Sequence, residues 1–128
     1  MIAADASLVV EALDGLPEAI EVLTAEAVDA PHLIDAEVVQ ALRMLVLRGA
    51  IEAAAAQDRL TRWVHLPVRR HDAATLLGRV WALRDALSAY DALYVALAER
   101  LDCPLVTADR RLAGEPGVGC EVRVIRAD

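Results

Sequence analysis

The sequence contains no lysine, no asparagine and no phenylalanine, and it has only two cysteines among 128 residues. Two cysteines are too few for a disulfide framework or a zinc cluster. We therefore predict that Cys103 and Cys120 are reduced, buried thiols in the cytosol. No apolar run approaches the ~18 residues of a membrane-spanning helix. The N-terminus has no basic region and meets an acid at Asp5, which is unlike a secretory signal.

Positive charge is also scarce. All 13 basic residues are arginines, and they face 20 acidic residues, so the net charge is −7. Ordinary nucleic-acid-binding domains carry a basic patch, and this balance argues against that class. It does not exclude an enzyme that meets nucleic acid through metal ions, and it favours a basic protein partner. Hydrophobic residues make up 57% of the chain, which excludes disorder. The length suits one domain over residues 1–128.

Short apolar runs alternate with segments of helical periodicity. The predicted strands are 2–4, 27–29, 65–70, 104–107 and 121–125. The predicted helices are 6–13, 17–26, 33–48, 51–64, 73–86 and 88–101, with a short helical piece at 109–113. This alternation indicates an α/β fold in which a parallel sheet carries helices on both faces. Ligands of such sheets bind beyond the carboxyl ends of the strands.

Four isolated carboxylates stand where elements begin. Asp5 follows the first strand, and Asp109 follows the strand at 104–107. Glu37 lies in the first turns of the third helix, and Asp91 is the only charged residue between 86 and 98. Each has a purely structural interpretation: an N-cap for Asp5 and Asp109, an acid near a helix start for Glu37, and a capping box with a serine three residues earlier for Asp91.

All four carboxylates face the same predicted edge of the sheet, which four independent caps explain poorly. Clustered carboxylates repel one another, and their pKa values rise. Hard oxygen ligands in a cluster suit Mg²⁺ or Mn²⁺. A site of this kind can hold a phosphodiester and stabilise the charge that develops during its hydrolysis.

The remaining polar and aromatic residues carry weaker signals. We predict that Met44 is in the core and that Trp63 and Trp81 are core or dimer contacts. Seven arginines are candidates for phosphate contacts, although a solvated helix face explains most of them. They are Arg43, Arg48, Arg69, Arg70, Arg84, Arg110 and Arg111. At least one of the last two could reach the acidic cleft, because they follow Asp109 directly.

Four segments, in order along almost the whole chain, carry a resemblance to a known family. They are Asp5-Ala-Ser7, the stretch from Asp35-Ala-Glu37 to Arg43, the block Ser88–Glu99, and Leu105-Val-Thr-Ala-Asp109-Arg-Arg-Leu112. The sequence resembles the PIN-domain family, and most closely its VapC-type toxin ribonucleases of type II toxin–antitoxin systems. The block 88–99 followed by the strand that leads to Asp109 is the most specific part of the match.

The resemblance implies a three-layer α/β/α sandwich with a parallel sheet of about five strands. It implies a metal-dependent endoribonuclease in which Asp5, Asp91 and Asp109 bind Mg²⁺ or Mn²⁺. Glu37 would orient a metal ion or the attacking water. Ser7 and Thr107 match positions that support the site through hydrogen bonds.

The resemblance also implies partners. The substrate would be a tRNA, an rRNA or an mRNA, and a VapB-like antitoxin would block the acidic cleft, often with a basic side chain. Members of the family commonly form homodimers, act in the cytoplasm and have no membrane partner.

Three other functions compete with this interpretation. A PIN-like module that has lost catalysis could still bind a protein partner, and the sequence leaves this open. Phospho-aspartate enzymes usually carry an aspartate where Ser7 stands, and they depend on a lysine that this chain lacks. Flap-type DNA nucleases are larger and need a helical clamp for which 128 residues leave little room.

Overall fold

The central sheet of the protein has five strands that are all parallel. We describe residues 1–125 of a computed structural model, so the last three residues of the predicted domain lie outside the described range. The strands are β1 (Ile2–Ala4), β2 (Val28–Pro31), β3 (Val68–His71), β4 (Leu105–Thr107) and β5 (Val122–Val124). Their order across the sheet is β3-β2-β1-β4-β5.

Six α-helices cover the two faces of the sheet. They are α1 (Ala6–Leu13), α2 (Pro17–Ala25), α3 (Leu33–Leu47), α4 (Ala53–His65), α5 (Leu77–Ala82) and α6 (Ala89–Leu101). Helix α1 contacts α2, α3 and α4, whereas α6 contacts β1, β2, β4 and α5. The predicted α/β/α sandwich is therefore confirmed, with α1–α4 in one layer and α5 and α6 in the other.

The sheet reverses its winding direction between β1 and β4. The chain steps from β1 to β2 and β3 on one side, and then crosses back to place β4 against the other side of β1. Ala4 pairs with Val106 near the carboxyl ends of these two strands. In doubly wound sheets this reversal opens a crevice where ligands bind, so the topology itself marks the β1/β4 boundary.

Most element boundaries follow local sequence signals. Pro17 occupies the first turn of α2, where its missing N–H costs nothing. Ser88 is the N-cap of α6 and accepts the Asp91 N–H. The same helix ends at Asp102, whose φ of 51° lies in the left-handed region and whose N–H bonds to carbonyls of the last turn.

Three predicted elements were wrong in extent. The strand predicted at 65–70 is β3, which begins only at Val68 because α4 continues to His65. Strand β2 continues to Pro31 instead of ending at residue 29, because a proline at the last position of a strand gives up only one ladder donor. The predicted helix at 73–86 is a 3₁₀ turn (Ala74–Leu76) followed by the short α5. Turns replace the helix from Leu83 to Ala86, and Leu83 and Leu87 are both buried in the core.

Met44, predicted in the core, and Trp81, predicted as a core or dimer contact, both lie outside the core. The exposed fraction of Trp81 is 68%, and that of Met44 is 40%. The guanidinium of Arg84 covers the Trp81 ring, with its Cζ 4.8 Å from the ring centroid, so a cation–π contact takes the place of core packing. Cys103 is buried as predicted, Cys120 is half-buried, and both thiols are free. Among residues 1–125, no helix is both long and apolar enough to cross a membrane.

A polar clamp joins α3, α4 and β3 beside the core. The Asp35 carboxylate accepts two hydrogen bonds from Arg70 at 2.7 and 2.8 Å, and one from the indole N–H of the buried Trp63 at 2.9 Å. The guanidinium of Arg70 also lies over the Trp63 ring. Hydrogen bonds from Arg70 hold the pKa of Asp35 below its ordinary value.

We expect Asp35→Asn to lower the free energy of unfolding at pH 7 by about 1 kcal/mol, because the charged half of the clamp is lost. The folded-state pKa of Asp35 is depressed, so its contribution is present above the ordinary value of 3.8 and is lost as the pH falls below it. Urea unfolding of both proteins between pH 7 and pH 3 should show the difference shrinking in acid. Asp72→Asn, at an exposed acid, is the control, and a difference that grew in acid would contradict this account.

Candidate active site

Asp5 directly follows the first strand, and hydrogen bonds fix both oxygens of its carboxylate. One carboxylate oxygen accepts the Ser7 hydroxyl at 2.6 Å and the Leu8 N–H at 3.1 Å. The other oxygen accepts the Thr107 hydroxyl at 2.5 Å. Asp5 is therefore the N-cap of α1 and is also fixed to the end of β4. Only 6% of the residue is exposed.

Ser7 and Thr107 together lock the ends of β1 and β4 to each other. Their hydroxyl oxygens lie 3.1 Å apart. The Ser7 hydroxyl accepts the Ala108 N–H at 2.9 Å, and the Thr107 hydroxyl accepts the Asp109 N–H at 2.9 Å. The position of Asp109 is thus set by the same two hydroxyls that hold Asp5.

Asp109 begins the 3₁₀ turn that follows β4 (Arg110–Gly114), and it is paired with an arginine of that turn. Its carboxylate accepts the Arg111 backbone N–H at 3.0 Å. It also accepts Arg111 Nε at 3.0 and 3.1 Å and Arg111 Nη2 at 2.5 Å. These hydrogen bonds hold the pKa of Asp109 below its ordinary value.

Asp91 approaches the same place from the first turn of α6. Its backbone N–H donates to the Ser88 hydroxyl at 3.2 Å, so half of the predicted capping box is present. Its carboxylate lies 3.8 Å from Arg111 Nη2. Burial raises the pKa of the Asp91 carboxyl, the charge of Arg111 opposes this shift, and the charge of Asp109 adds to it.

Glu37 reaches the group through a tyrosine on α6. The Tyr94 hydroxyl donates to Glu37 Oε1 at 2.6 Å, and only 2% of Tyr94 is exposed. Burial and the hydrogen bond to Glu37 raise the pKa of the Tyr94 phenol, and the charges of Asp5 and Asp91 raise it further. Tyr94 therefore lies within electrostatic reach of three of the four acids.

Electrostatic coupling shows that the four predicted acids share one neighbourhood. Burial raises the pKa of Asp5 above its ordinary value, its hydrogen-bonding partners oppose this, and the charge of Asp109 adds to the rise. Asp91 and Asp109 are coupled in the same way. The sheet edge at the β1/β4 boundary thus gathers Asp5, Glu37, Asp91 and Asp109, with Ser7 and Thr107 beneath them.

The sequence analysis did not single out Tyr94 as a site residue. Its spacing could have revealed the contact, because Tyr94 stands one helical turn after Asp91 and so lies on the same face of α6. Most of the arginines considered for phosphate contacts have other partners here. Arg70 is bound to Asp35, Arg84 covers Trp81, and Arg69 lies 3.4 Å from the buried Asp29.

A comparison with protein-family models identifies the architecture. The model described as the PIN domain matches residues 2–114. The chain belongs to the PIN-domain family. The match spans β1 through the 3₁₀ turn after β4 and therefore includes every residue of the acidic group described above.

Known proteins of similar sequence and structure agree with this assignment. This PIN domain is 42% identical over 125 residues to the VapC ribonuclease Mb0985 of Mycobacterium bovis, with 98% of each chain covered. The crystal structure of PAE2754 from Pyrobaculum aerophilum superposes with a TM-score of 0.76 at 23% identity, covering 96% of this chain and 83% of the other. A toxin–antitoxin complex from Klebsiella pneumoniae contains a chain that superposes with a TM-score of 0.68 at 21% identity, covering 91% and 94%.

The donor chemistry of the acidic group fits a hard divalent cation. Its oxygens belong to carboxylates and hydroxyls, which such cations prefer. Burial, and to a lesser degree the charge of Asp109, raises the pKa of Asp5 and Asp91, and a bound cation would favour their charged forms. Within residues 1–125, no three acidic, histidine or cysteine side chains converge closely enough to form a ready-made ligand cage. Arg111 instead supplies the positive charge beside Asp109 and Asp91.

We expect Asp91→Asn to raise the melting temperature of the metal-free protein. The folded-state pKa of Asp91 is raised, so its carboxyl favours folding below the unfolded value and loses that contribution as the pH rises through the folded value. The amide removes this penalty at neutral pH, and the Ser88 cap survives because it is made by the Asp91 backbone. Calorimetry at pH 7.5 in EDTA measures the shift.

Asp58→Asn, at an exposed acid of α4, is the control for the change in net charge. The advantage of Asp91→Asn should decrease as the pH approaches 4, where the wild-type carboxyl is itself becoming neutral. A melting temperature that falls in Asp91→Asn at neutral pH would show that the Asp91 charge stabilises the fold.

Proposed function

We propose that this PIN domain is a metal-dependent endoribonuclease, and that it is the toxin of a type II toxin–antitoxin pair. The observation that carries the proposal is the placement of Asp5, Glu37, Asp91 and Asp109 around the carboxyl edge of β1 and β4, where Arg111 bonds to Asp109 and approaches Asp91, and Tyr94 bonds to Glu37. Burial, together with the charge of Asp109, raises the pKa of two of these acids, Asp5 and Asp91. The similarity to a VapC ribonuclease supports the choice of RNA as substrate.

Asp5, Asp91 and Asp109 are the residues that would hold Mg²⁺ or Mn²⁺. The ion would supply positive charge that stabilises the negative charge developing on the phosphate oxygens during hydrolysis. Asp5 is suited to this role because both of its oxygens are fixed by Ser7 and Thr107. Such fixed side chains need no reorganisation as the reaction proceeds.

Glu37 is the residue in place to orient the attacking water and to accept its proton. Tyr94 donates to Oε1 of Glu37 and does not occupy its other oxygen. A tyrosine with a raised pKa stays protonated at physiological pH, so it remains a donor throughout the reaction. Tyr94 is therefore a positioning residue for Glu37 in this proposal.

The partners follow from the same site. An acidic cleft that already binds a guanidinium can bind a basic side chain of an antitoxin, and the net charge of −7 attracts a basic protein. The likeness to a chain of a toxin–antitoxin complex supports a VapB-like antitoxin. We also propose a homodimer that acts on tRNA, rRNA or mRNA in the cytoplasm.

The first test is cleavage of a mixed RNA pool by purified protein with Mg²⁺. We expect cuts that EDTA abolishes, and we expect Asp91→Asn to reduce the rate by about 100-fold or more, because one of the three proposed ligands is lost. Asp58→Asn should cleave at the wild-type rate. Circular dichroism confirms that each variant is folded.

Cleavage that resists EDTA, or an Asp91→Asn variant that cuts as fast as wild type, would contradict the proposed site. A folded protein that binds an antitoxin but cuts no RNA with either metal ion would favour the alternative function, a PIN-like module that has lost catalysis.

We expect Tyr94→Phe to reduce kcat for RNA cleavage by about tenfold, since a small displacement of a catalytic group has a large effect on rate. KM and the affinity for Mn²⁺ should stay within about twofold, because the proposed ligands keep their contacts. Tyr90→Phe is the matched control, because Tyr90 lies four residues earlier on α6 and is 61% exposed. A loss that appeared in KM instead of kcat would contradict a role in positioning Glu37.

A further inference from the structure

Arg111 is the residue whose contacts the proposed chemistry leaves unexplained. Three of the hydrogen bonds described above join its guanidinium to Asp109, and its Nη2 lies 3.8 Å from Asp91. The side chain therefore stands between two of the three acids that would hold a divalent cation. Its own exposed fraction is 75%, so burial in the core does not hold it there.

Backbone hydrogen bonds hold Asp109 in place independently of the Arg111 side chain. The Arg111 backbone N–H donates to Asp109, and the Asp109 backbone N–H donates to Thr107. Leu112, the next residue, is buried in the core. Asp109 thus keeps its place when the guanidinium leaves, and the guanidinium can leave by rotation of its side chain alone.

Three acidic residues surround the Arg111 guanidinium. Asp109, Asp91 and Glu115 each interact favourably with its guanidinium. Without it, three carboxylates would repel one another across the open end of the site. A divalent cation would satisfy the same carboxylates with twice the charge, so the two cations compete for one position.

We propose that Arg111 is the built-in counter-cation of the acidic site, and that a divalent cation must displace its guanidinium from Asp109 and Asp91. This inference rests on the proposed function, because it requires that the acids bind a metal ion. Once displaced, the Arg111 guanidinium turns toward solvent while its backbone stays beside the site. There its planar guanidinium can bind the phosphate of an incoming RNA with two hydrogen bonds. Arg111 therefore stabilises the metal-free site and weakens its apparent affinity for metal.

Calorimetric titration of the metal-free protein with MnCl₂ tests the inference. We expect Arg111→Met to bind Mn²⁺ about tenfold more tightly than wild type, because no guanidinium has to be displaced and a repelling charge is gone. Arg111→Lys keeps the charge without the two-pronged contact and should fall between the two proteins. The melting temperature gives an independent readout: Arg111→Met should be less stable than wild type in EDTA and should gain more on addition of Mn²⁺.

Arg123→Met is the matched control. Arg123 also bonds to a carboxylate two residues before it, Glu121, with Nε 3.2 Å from Oε1. Its side chain is also exposed, at 48%, and its loss changes the net charge equally. We expect its Mn²⁺ affinity to stay within about twofold of wild type, which separates a local effect from a general effect of net charge.

The outcomes distinguish this inference from the proposed function. If wild type binds Mn²⁺ and cuts RNA, but Arg111→Met binds Mn²⁺ with equal or lower affinity, the counter-cation role is overturned and the nuclease stands. Equal tightening in Arg111→Met and Arg123→Met would also overturn it. If neither wild type nor Arg111→Met binds Mn²⁺, the metal site fails, and this inference fails with it.

Discussion

The hydrogen-bonded junction between β1 and β4 is the constraint on which the site depends. Two hydroxyls, from Ser7 and Thr107, bind the Asp5 carboxylate and the backbone N–H groups that lead into Asp109. The sheet reverses its winding at this boundary, which leaves room beyond the strand ends that no crossover helix fills. The fold therefore creates the crevice, and the hydroxyls fix the acids that line it.

This junction also explains how buried carboxylates are tolerated. Burial of Asp5 disfavours its charged form, and three donors partly offset that effect. Arg111 bonds directly to Asp109, with Nη2 2.5 Å from its carboxylate. The same nitrogen lies 3.8 Å from the carboxylate of Asp91. Unequal compensation of this kind is common where groups are arranged for chemistry instead of for stability. At the proposed site, burial disfavours the charged forms of Asp5 and Asp91, and their partners offset this effect only in part.

Much of this arrangement could be predicted from the sequence. The four acids stand beside strand ends or helix starts, and the alternation of strands with helices predicted that they would face one edge of the sheet. Ser7 and Thr107 were predicted only from the resemblance to the PIN-domain family. The structural and functional interpretations of Asp5 and Asp109 turned out to be compatible, because each caps an element and also faces the cleft. Local sequence patterns were less informative where tertiary packing determines the extent of an element or the exposure of a side chain. No local pattern in the sequence marks the break in the predicted 73–86 helix or the exposure of Trp81. The contact of Tyr94 with Glu37 joins residues 57 positions apart in the chain.

All basic residues of the chain are arginines, and the shape of the guanidinium matters at two contacts. A guanidinium can bind both oxygens of one carboxylate and still lie near a second carboxylate, which a compact ammonium cannot do with the same geometry. Arg70 uses this property to join Asp35 with the Trp63 ring, and Arg111 uses it to span Asp109 and Asp91. The first pair is enclosed by the clamp of α3, α4 and β3, so it is a fixed part of the structure. The second is open to solvent and faces acids that a stronger cation would bind, so the same chemistry there makes a contact that can be exchanged.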